Sequence, residues 1–331
     1  MDSIYWVISR DCNQHCGHCY NDSKPGAPGL TKEEVTACVA NLPDPDEVPV
    51  ERMAVSGGEV YVNPELLFHF LSLIQAKYGT KTIMAVQTNG DLLTPELLDR
   101  TLSYGVTRFA VSSQDKYHVP FSTQNKPALE KLFLSRGFEI INFDGVHRPA
   151  TREQKQVSFW GATEDLWIGP LWPRGRAMKN GLAKCGPTDD FCGGHSSGAK
   201  KSLDYLEKGS SLAFQLADVY MCCPMTCRPV GDLRKEPLKQ MLDRLKTHPA
   251  YRALNEGKPE KLGEYMGLSE AYGIQRTKEL GNHCLWCDEF FTKHAPELLH
   301  QGAVTERGTV DLTITAKRQA RKAAELAATS V

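Results

Sequence analysis

The chain has 331 residues, 39 Lys and Arg against 40 Asp and Glu, and eleven Cys. Near-neutral charge removes the electrostatic case for binding nucleic acid, a membrane surface or another polyanion. No apolar run is long enough to span a bilayer and no secretory signal is present, so the protein reads as cytoplasmic, and its odd set of Cys reads as metal or redox ligands rather than a disulfide framework.

Strand-like runs occur at 3–9 (SIYWVIS), 52–58 (RMAVSGG), 80–88 (TKTIMAVQT), 105–113 (GVTRFAVSS), 138–144 (FEIINFD) and 165–171 (DLWIGPL). Helix-like segments lie between most of them. Thr31 with Glu34 three residues on has the capping-box pattern, Asn63–Pro64 and Thr94–Pro95 each pair a cap with a proline at the first helical position, and a further helix is expected over 125–137. The piece between the fifth and sixth strands is less clearly helical. Strand and helix alternating in this way predict a parallel α/β architecture, an open sheet or a barrel. Composition shifts near residue 172, beyond which Gly, Pro and seven more Cys accumulate. The expected division is a first domain over 1–171, a smaller metal-stabilised domain over 172–295, and a polar helical tail over 296–331.

In a parallel α/β chain, chemistry collects in the loops that follow the strands. The first such loop carries Cys12, Cys16 and Cys19 in the run CNQHCGHCY. Three thiolates can hold three corners of a cubane iron–sulfur cluster and leave the fourth iron open to a ligand. A Cys3His zinc site using His15 or His18 is the competing assignment. After the second strand comes SGGEVYVNP, where Gly57 and Gly58 allow a close approach of backbone to a ligand and Glu59 supplies a carboxylate suited to an ammonium group.

With the CxxxCxxC loop one strand earlier and this Gly-Gly-Glu turn next to it, the sequence resembles the radical S-adenosylmethionine (radical SAM) superfamily. The resemblance implies a partial (β/α)6 TIM-like barrel. It implies that Cys12, Cys16 and Cys19 bind a [4Fe–4S] cluster, that the fourth iron chelates S-adenosylmethionine, and that Gly57, Gly58 and Glu59 hold the methionyl amine. His18 stands where the family usually has a carbocyclic aromatic near the adenine, with Tyr20 just beyond. Asn89 in QTNG and Ser112 in VSSQD fall where the family contacts ribose and methionine, and strand-end capping explains each residue equally well. Asp115 and His118, in QDKYH, are candidates to face the substrate, and the favoured alternative is a turn-forming acid and a solvated imidazole, because nothing in their spacing requires them to converge. The implied reaction is one-electron reductive cleavage of SAM to methionine and a 5′-deoxyadenosyl radical, which removes a hydrogen atom from the substrate. The reductant implied is a flavodoxin or ferredoxin.

LWPRGRA (171–177) resembles the linker into the SPASM or twitch domains of this superfamily, which carry auxiliary iron–sulfur clusters. Ala217 stands where the family's hairpin has Gly, five residues before Cys222, and CLWC (284–287) resembles the late ligand pair. By that likeness the expected auxiliary [4Fe–4S] ligands are Cys192, Cys222, Cys284 and Cys287. Cys185, Cys223 and Cys227 are further ligand candidates, Cys185 as an alternative to Cys192 and Cys223 to Cys222, and a structural zinc site built from the same residues is the competing use. Cys38 reads as an inert buried thiol. The chain enters its first strand almost at once, so a leader-binding domain of the kind peptide maturases use is expected to be a separate protein. A small-metabolite substrate is therefore expected, ahead of a ribosomally made peptide or protein. A non-enzymatic iron–sulfur carrier or sensor would have no use for the Gly-Gly-Glu turn.

Overall fold

The computed structural model describes residues 1–118, 122–141, 151–161, 172–182, 211–222 and 228–299. The strands are β1 (Ser3–Ser9), β2 (Arg52–Gly57), β3 (Ile83–Thr88), β4 (Val106–Val111), β5 (Glu139–Ile141), β6 (Gln156–Phe159), β7 (Ser211–Gln215), β8 (Asp218–Tyr220) and β9 (Gly231–Asp232). Among the described residues they form one sheet in the order β5-β6-β4-β3-β2-β1-β7-β8-β9. Pairing is parallel from β5 through to β7, and antiparallel only for β7–β8 and β8–β9. This is the mostly parallel α/β fold of a partial TIM-like barrel, with a helical, Cys-containing region after it.

The sheet has two chemically distinct faces, as the two-residue period of a strand requires. In register across it, Phe214, Trp6, Val55, Val86, Phe109 and Val157 form one apolar row, each at most 3% exposed. Four helices cover this face: α1 (Lys32–Ala40), α2 (Pro64–Tyr78), α3 (Pro95–Ser103) and α4 (Ser122–Leu134). Phe70 of α2 meets Trp6 edge-on and Phe133 of α4 packs on Phe109. The helices begin where local signals place them. Thr31 Oγ1 accepts the Glu34 N–H while Glu34 Oε2 accepts the Thr31 N–H. Asn63 caps α2 ahead of Pro64, and Thr94 caps α3 ahead of Pro95.

The other face is small and polar over β2, β3, β4 and β6, and carries an apolar patch of Val7, Ala213 and Tyr220 beside Tyr5. Tyr5, Ala54, Ala85 and Arg108 form one row in register, and Gln87, Ala110 and Ser158 another. The residues of both rows are only half-buried.

Two features depart from the expected strands. The predicted sixth strand, 165–171, lies outside the described residues. The strand beside β4 is instead β6, QVSF, from the stretch that carries no clear sequence signal, and β5 is displaced to the sheet edge. The hairpin after residue 172 continues this same sheet, because β7 pairs in parallel with β1. Trp6 Nε1 donates to Leu216 O at 2.8 Å, and Leu216 N–H donates to Val7 O at 2.7 Å. The hairpin turn places its left-handed residue at Leu216 (φ 56°), one position before Ala217. These two bonds hold a side chain in a region normally left to Gly.

The later helices are α6 (Leu238–Leu245), α7 (Pro249–Asn255), α8 (Glu270–Leu280) and α9 (His283–Glu289), following the short α5 (Gly175–Lys179). Asn41 at the end of α1 binds Leu233 O through Nδ2 and accepts the Leu238 N–H through its carbonyl, tying α6 to the first helical layer. Pro296–Leu298 is a 3-10 turn. Cys185, Cys192, Cys223, Cys227 and the tail from residue 300 lie outside the described residues.

Candidate active site

Cys12, Cys16 and Cys19 lie on the loop between β1 and α1, and none is in a disulfide. Backbone N–H groups point at two of the sulfurs, Gln14 N to Cys12 Sγ and Ser23 N to Cys19 Sγ, both at 3.4 Å. Burial pushes the Cys12 and Cys16 thiols up to about 12, and their neighbouring sulfurs add to the shift. Thiols held protonated by burial on one loop need a positive group beside them to ionise. The donor set and the N–H groups aimed at sulfur therefore fit an iron–sulfur cluster.

The Gly-Gly-Glu turn is locked to this loop by backbone. Gly58 N–H donates to Ser9 O at 2.7 Å and Glu59 N–H to Asp11 O at 2.9 Å. A Cβ on Gly58 would run into Asp11 O and stand 2.7 Å from Arg10 O, and one on Gly57 would stand 2.9 Å from Ser9 O. Both glycines are thus required by the approach of one loop to the other, a reason the sequence does not disclose.

Glu59 is 1% exposed. Its carboxylate accepts the Tyr61 N–H (3.1 Å), the Thr88 hydroxyl (2.7 Å) and the Asn89 N–H (2.6 Å). Burial raises its pKa from 4.5 to about 7 against the pull of those three bonds. The carboxylate ties the end of β2 to the end of β3. Asn89 continues the connection, with Nδ2 donating to Asn13 Oδ1 at 2.9 Å, while Asp91 accepts from both Asn13 and Gln14. Ser112, just past β4, is placed by its N–H on Thr88 O at 2.9 Å.

Asp115 and His118 converge, contrary to the expectation of a solvated imidazole. Asp115 does form the turn, accepting the N–H groups of Tyr117 and His118, but it also holds His118 Nδ1 at 2.9 Å. Burial opposes ionisation of Asp115, yet the His118 bond, the two nearby imidazoles and the Tyr117 N–H outweigh it and hold the carboxyl at about 2. His18 stacks on Tyr117 with ring centroids 5.0 Å apart and meets His118 edge-on at 4.8 Å. Burial keeps His18 neutral, at about 4, and its Nδ1 is buried without a hydrogen-bond partner. Ring nitrogens of His18 and His118 and the Cys16 sulfur lie within 4.8 Å of one another. His15, the other imidazole of the zinc alternative, is exposed.

Arg176, in the segment after residue 172, was not singled out by the sequence. Its Nε donates to Cys16 O at 2.8 Å and its backbone N–H to Cys19 O at 2.9 Å, while Asn180 Nδ2 donates to Gly17 O at 2.8 Å. Gly175 (φ 56°) has no room for a Cβ, which would meet Tyr20 O and lie 2.8 Å from Cys19 O. The cysteine loop is therefore gripped from one side by the Gly-Gly-Glu turn and from the other by α5.

Cys284 and Cys287 are buried one turn apart on α9, and Cys222 is half-buried just after β8.

Residues 6–115 match the family model described as the Radical SAM superfamily. A 113-residue segment is 33% identical to the AdoMet-dependent heme synthase of Methanosarcina barkeri (strain Fusaro), covering 33% of this chain and 30% of that protein. The chain thus matches less than a third of that curated relative's length. Among solved structures, BtrN in complex with AdoMet and 2-DOIA superposes with a TM-score of 0.52 at 13% identity, over 79% of this chain and 91% of that one. The structure of anSMEcpe with bound AdoMet and Cp18Cys peptide gives a TM-score of 0.47 at 16% identity, over 89% of this chain and 97% of that one. The segment that carries the cysteine loop and the Gly-Gly-Glu turn is thus similar to the Radical SAM superfamily, and the fold is similar to that of BtrN. No helix among the described residues is long and apolar enough to cross a membrane.

Proposed function

We propose that the protein binds a [4Fe–4S] cluster and S-adenosylmethionine and abstracts a hydrogen atom from a small-metabolite substrate. The carrying observation is the joining of the three-thiol loop, backbone to backbone, to the Gly57–Gly58–Glu59 turn. Cys12, Cys16 and Cys19 hold the cluster. Gly57, Gly58 and Glu59, with Asn89 and Ser112 at the next strand ends, form the S-adenosylmethionine side. When bound, the two groups supply a carbon-centred radical able to break an unactivated C–H bond.

The protein's own task is positioning and exclusion of water. Glu59 keeps the ends of β2 and β3 together, Arg176 fixes the carbonyl of Cys16, and His18, Tyr117 and His118 wall the loop with half-buried rings. The substrate side is the small, polar face of the sheet, where Ala54, Ala85 and Ala110 leave space beside Gln87, and where Tyr5 and Ser158 are held by bonds to Ser56, Tyr20 and Trp160. That lining suits a small polar molecule, and the curated relative is named for a metabolite, heme, rather than for a peptide. An auxiliary cluster on Cys192, Cys222, Cys284 and Cys287 completes the proposal, supported by the burial of Cys284 and Cys287 one turn apart on α9. A flavodoxin or ferredoxin supplies the electron.

The reading is tested with deuterated cell extract split into low-mass and peptide fractions and offered with S-adenosylmethionine and reductant. Deuterium transferred into 5′-deoxyadenosine from the low-mass fraction supports it, and transfer from the peptide fraction alone overturns the small-metabolite assignment.

A further inference from the structure

The loop that carries the three cysteines has a second lined surface. A cavity of about 390 Å³ lies beside it, with Arg10, His15, Asp22, Lys24, Arg176 and Lys179 in its wall. Four of these side chains are permanent cations, on a chain whose formal charge is −1. Among the described residues of the wall Asp22 is the single acid, and Lys179 pairs with it at 2.8 Å, so these side chains carry a positive excess. His15, Lys24 and Lys179 are exposed and give it an open mouth. None of the residues on the small, polar face of the sheet lines it, so it is separate from the proposed substrate side.

The wall is in direct contact with the cysteine loop. Arg176 Nε is 2.8 Å from Cys16 O, Asn180 Nδ2 is 2.8 Å from Gly17 O, and Lys24 O accepts the Cys12 N–H at 3.3 Å. A molecule seated in the mouth is one layer of backbone away from the thiols. A local concentration of cations steers and orients an acidic partner, and does so without adding to the charge of the chain as a whole.

We propose that this cavity is the docking surface for an acidic one-electron carrier protein, which reduces the cluster through the loop backbone between Cys12 and Cys19. One electron leaves the carrier, which is oxidised, and enters the iron–sulfur group, which is reduced; no bond forms and no proton moves. The inference rests on the proposed function, and its test is separable from it.

The experiment measures the second-order rate of cluster reduction in the holoprotein by photoreduced flavodoxin, across a range of ionic strength, for wild type and Lys24→Glu/Lys179→Glu. Photoreduced 5-deazaflavin serves as the small reductant. Expected is a wild-type rate that falls as salt rises and a variant about tenfold slower at low salt with a flat profile, while 5-deazaflavin reduces both proteins equally. Equal slowing with both reductants, or an unchanged flavodoxin rate, overturns the proposal. So does tight binding of inorganic phosphate that the variant loses while its flavodoxin rate stays at wild type. If the double variant loses iron, the wild-type profile decides, and a rate independent of salt overturns the docking surface. Failure of the function itself would show differently, as no S-adenosylmethionine cleavage by wild type reduced with 5-deazaflavin.

Discussion

Glu59 and Asn89 are joined by the carboxylate of one and the backbone N–H of the other, Oε2 to N at 2.6 Å, with neither open to solvent. Together with the Thr88 and Tyr61 bonds, this makes Glu59 an internal tie as well as a candidate ligand residue. Glu59→Ala leaves three donors without their acceptor and should cost about 2–4 kcal/mol of stability, read by denaturant unfolding of the cluster-free protein. Unchanged stability would show that the tie contributes nothing.

The same carboxyl gives stability a pH dependence. Its folded pKa of about 7 lies above the 4.5 of the unbound group, so the folded state holds the proton more tightly. Stability from this group is present below pH 4.5 and is lost as pH rises through 7. The stability of wild type relative to Glu59→Gln should therefore fall by about 3 kcal/mol over that window. Parallel pH profiles for the two proteins would contradict the assignment.

Gly58→Ala tests the contact between the two loops. The added methyl has no room against Asp11 O and Arg10 O, so either the turn or the cysteine loop must move. The variant should stay folded by circular dichroism and lose most of its iron on anaerobic reconstitution. Gly26→Ala is the comparison at a site where the methyl meets nothing, though it bears the ordinary penalty of a positive φ. Its iron content should stay near wild type.

What the sequence discloses is what is local. SIYWVIS is β1 to the residue, and the Thr31, Asn63 and Thr94 caps each rest on side chains within three positions of the helix start. The spacing of Cys12, Cys16 and Cys19 and the glycine pair are also visible in a line of text. The strand QVSF is not, because it is four residues long and owes its place to β4 and β5 on either side. The pairing of β7 with β1 spans some two hundred positions and has no short-range mark. The Glu59 tie, the Arg176 grip and the convergence of His18, Asp115 and His118 are likewise tertiary, each made by groups whose neighbours in sequence say nothing of one another. Asn13 and Gln14 flank the cysteines in plain view, but their partners Asn89 and Asp91 come from the loop after β3.

The auxiliary site is tested by Cys284→Ala/Cys287→Ala. Wild type should hold about eight irons and this variant about four. Cleavage of S-adenosylmethionine should persist, and turnover of the substrate should be lost. A wild type with about four irons and stoichiometric zinc would assign those cysteines to a structural metal instead.

The central claim is that the loop of Cys12, Cys16 and Cys19 carries the reactive cluster. Its most direct test is the yield of 5′-deoxyadenosine from S-adenosylmethionine by anaerobically reconstituted protein with dithionite, compared between wild type and Cys16→Ala. Wild type should form 5′-deoxyadenosine and methionine in equal amounts, and Cys16→Ala should form none. Equal yields from the two proteins would contradict the assignment of the loop.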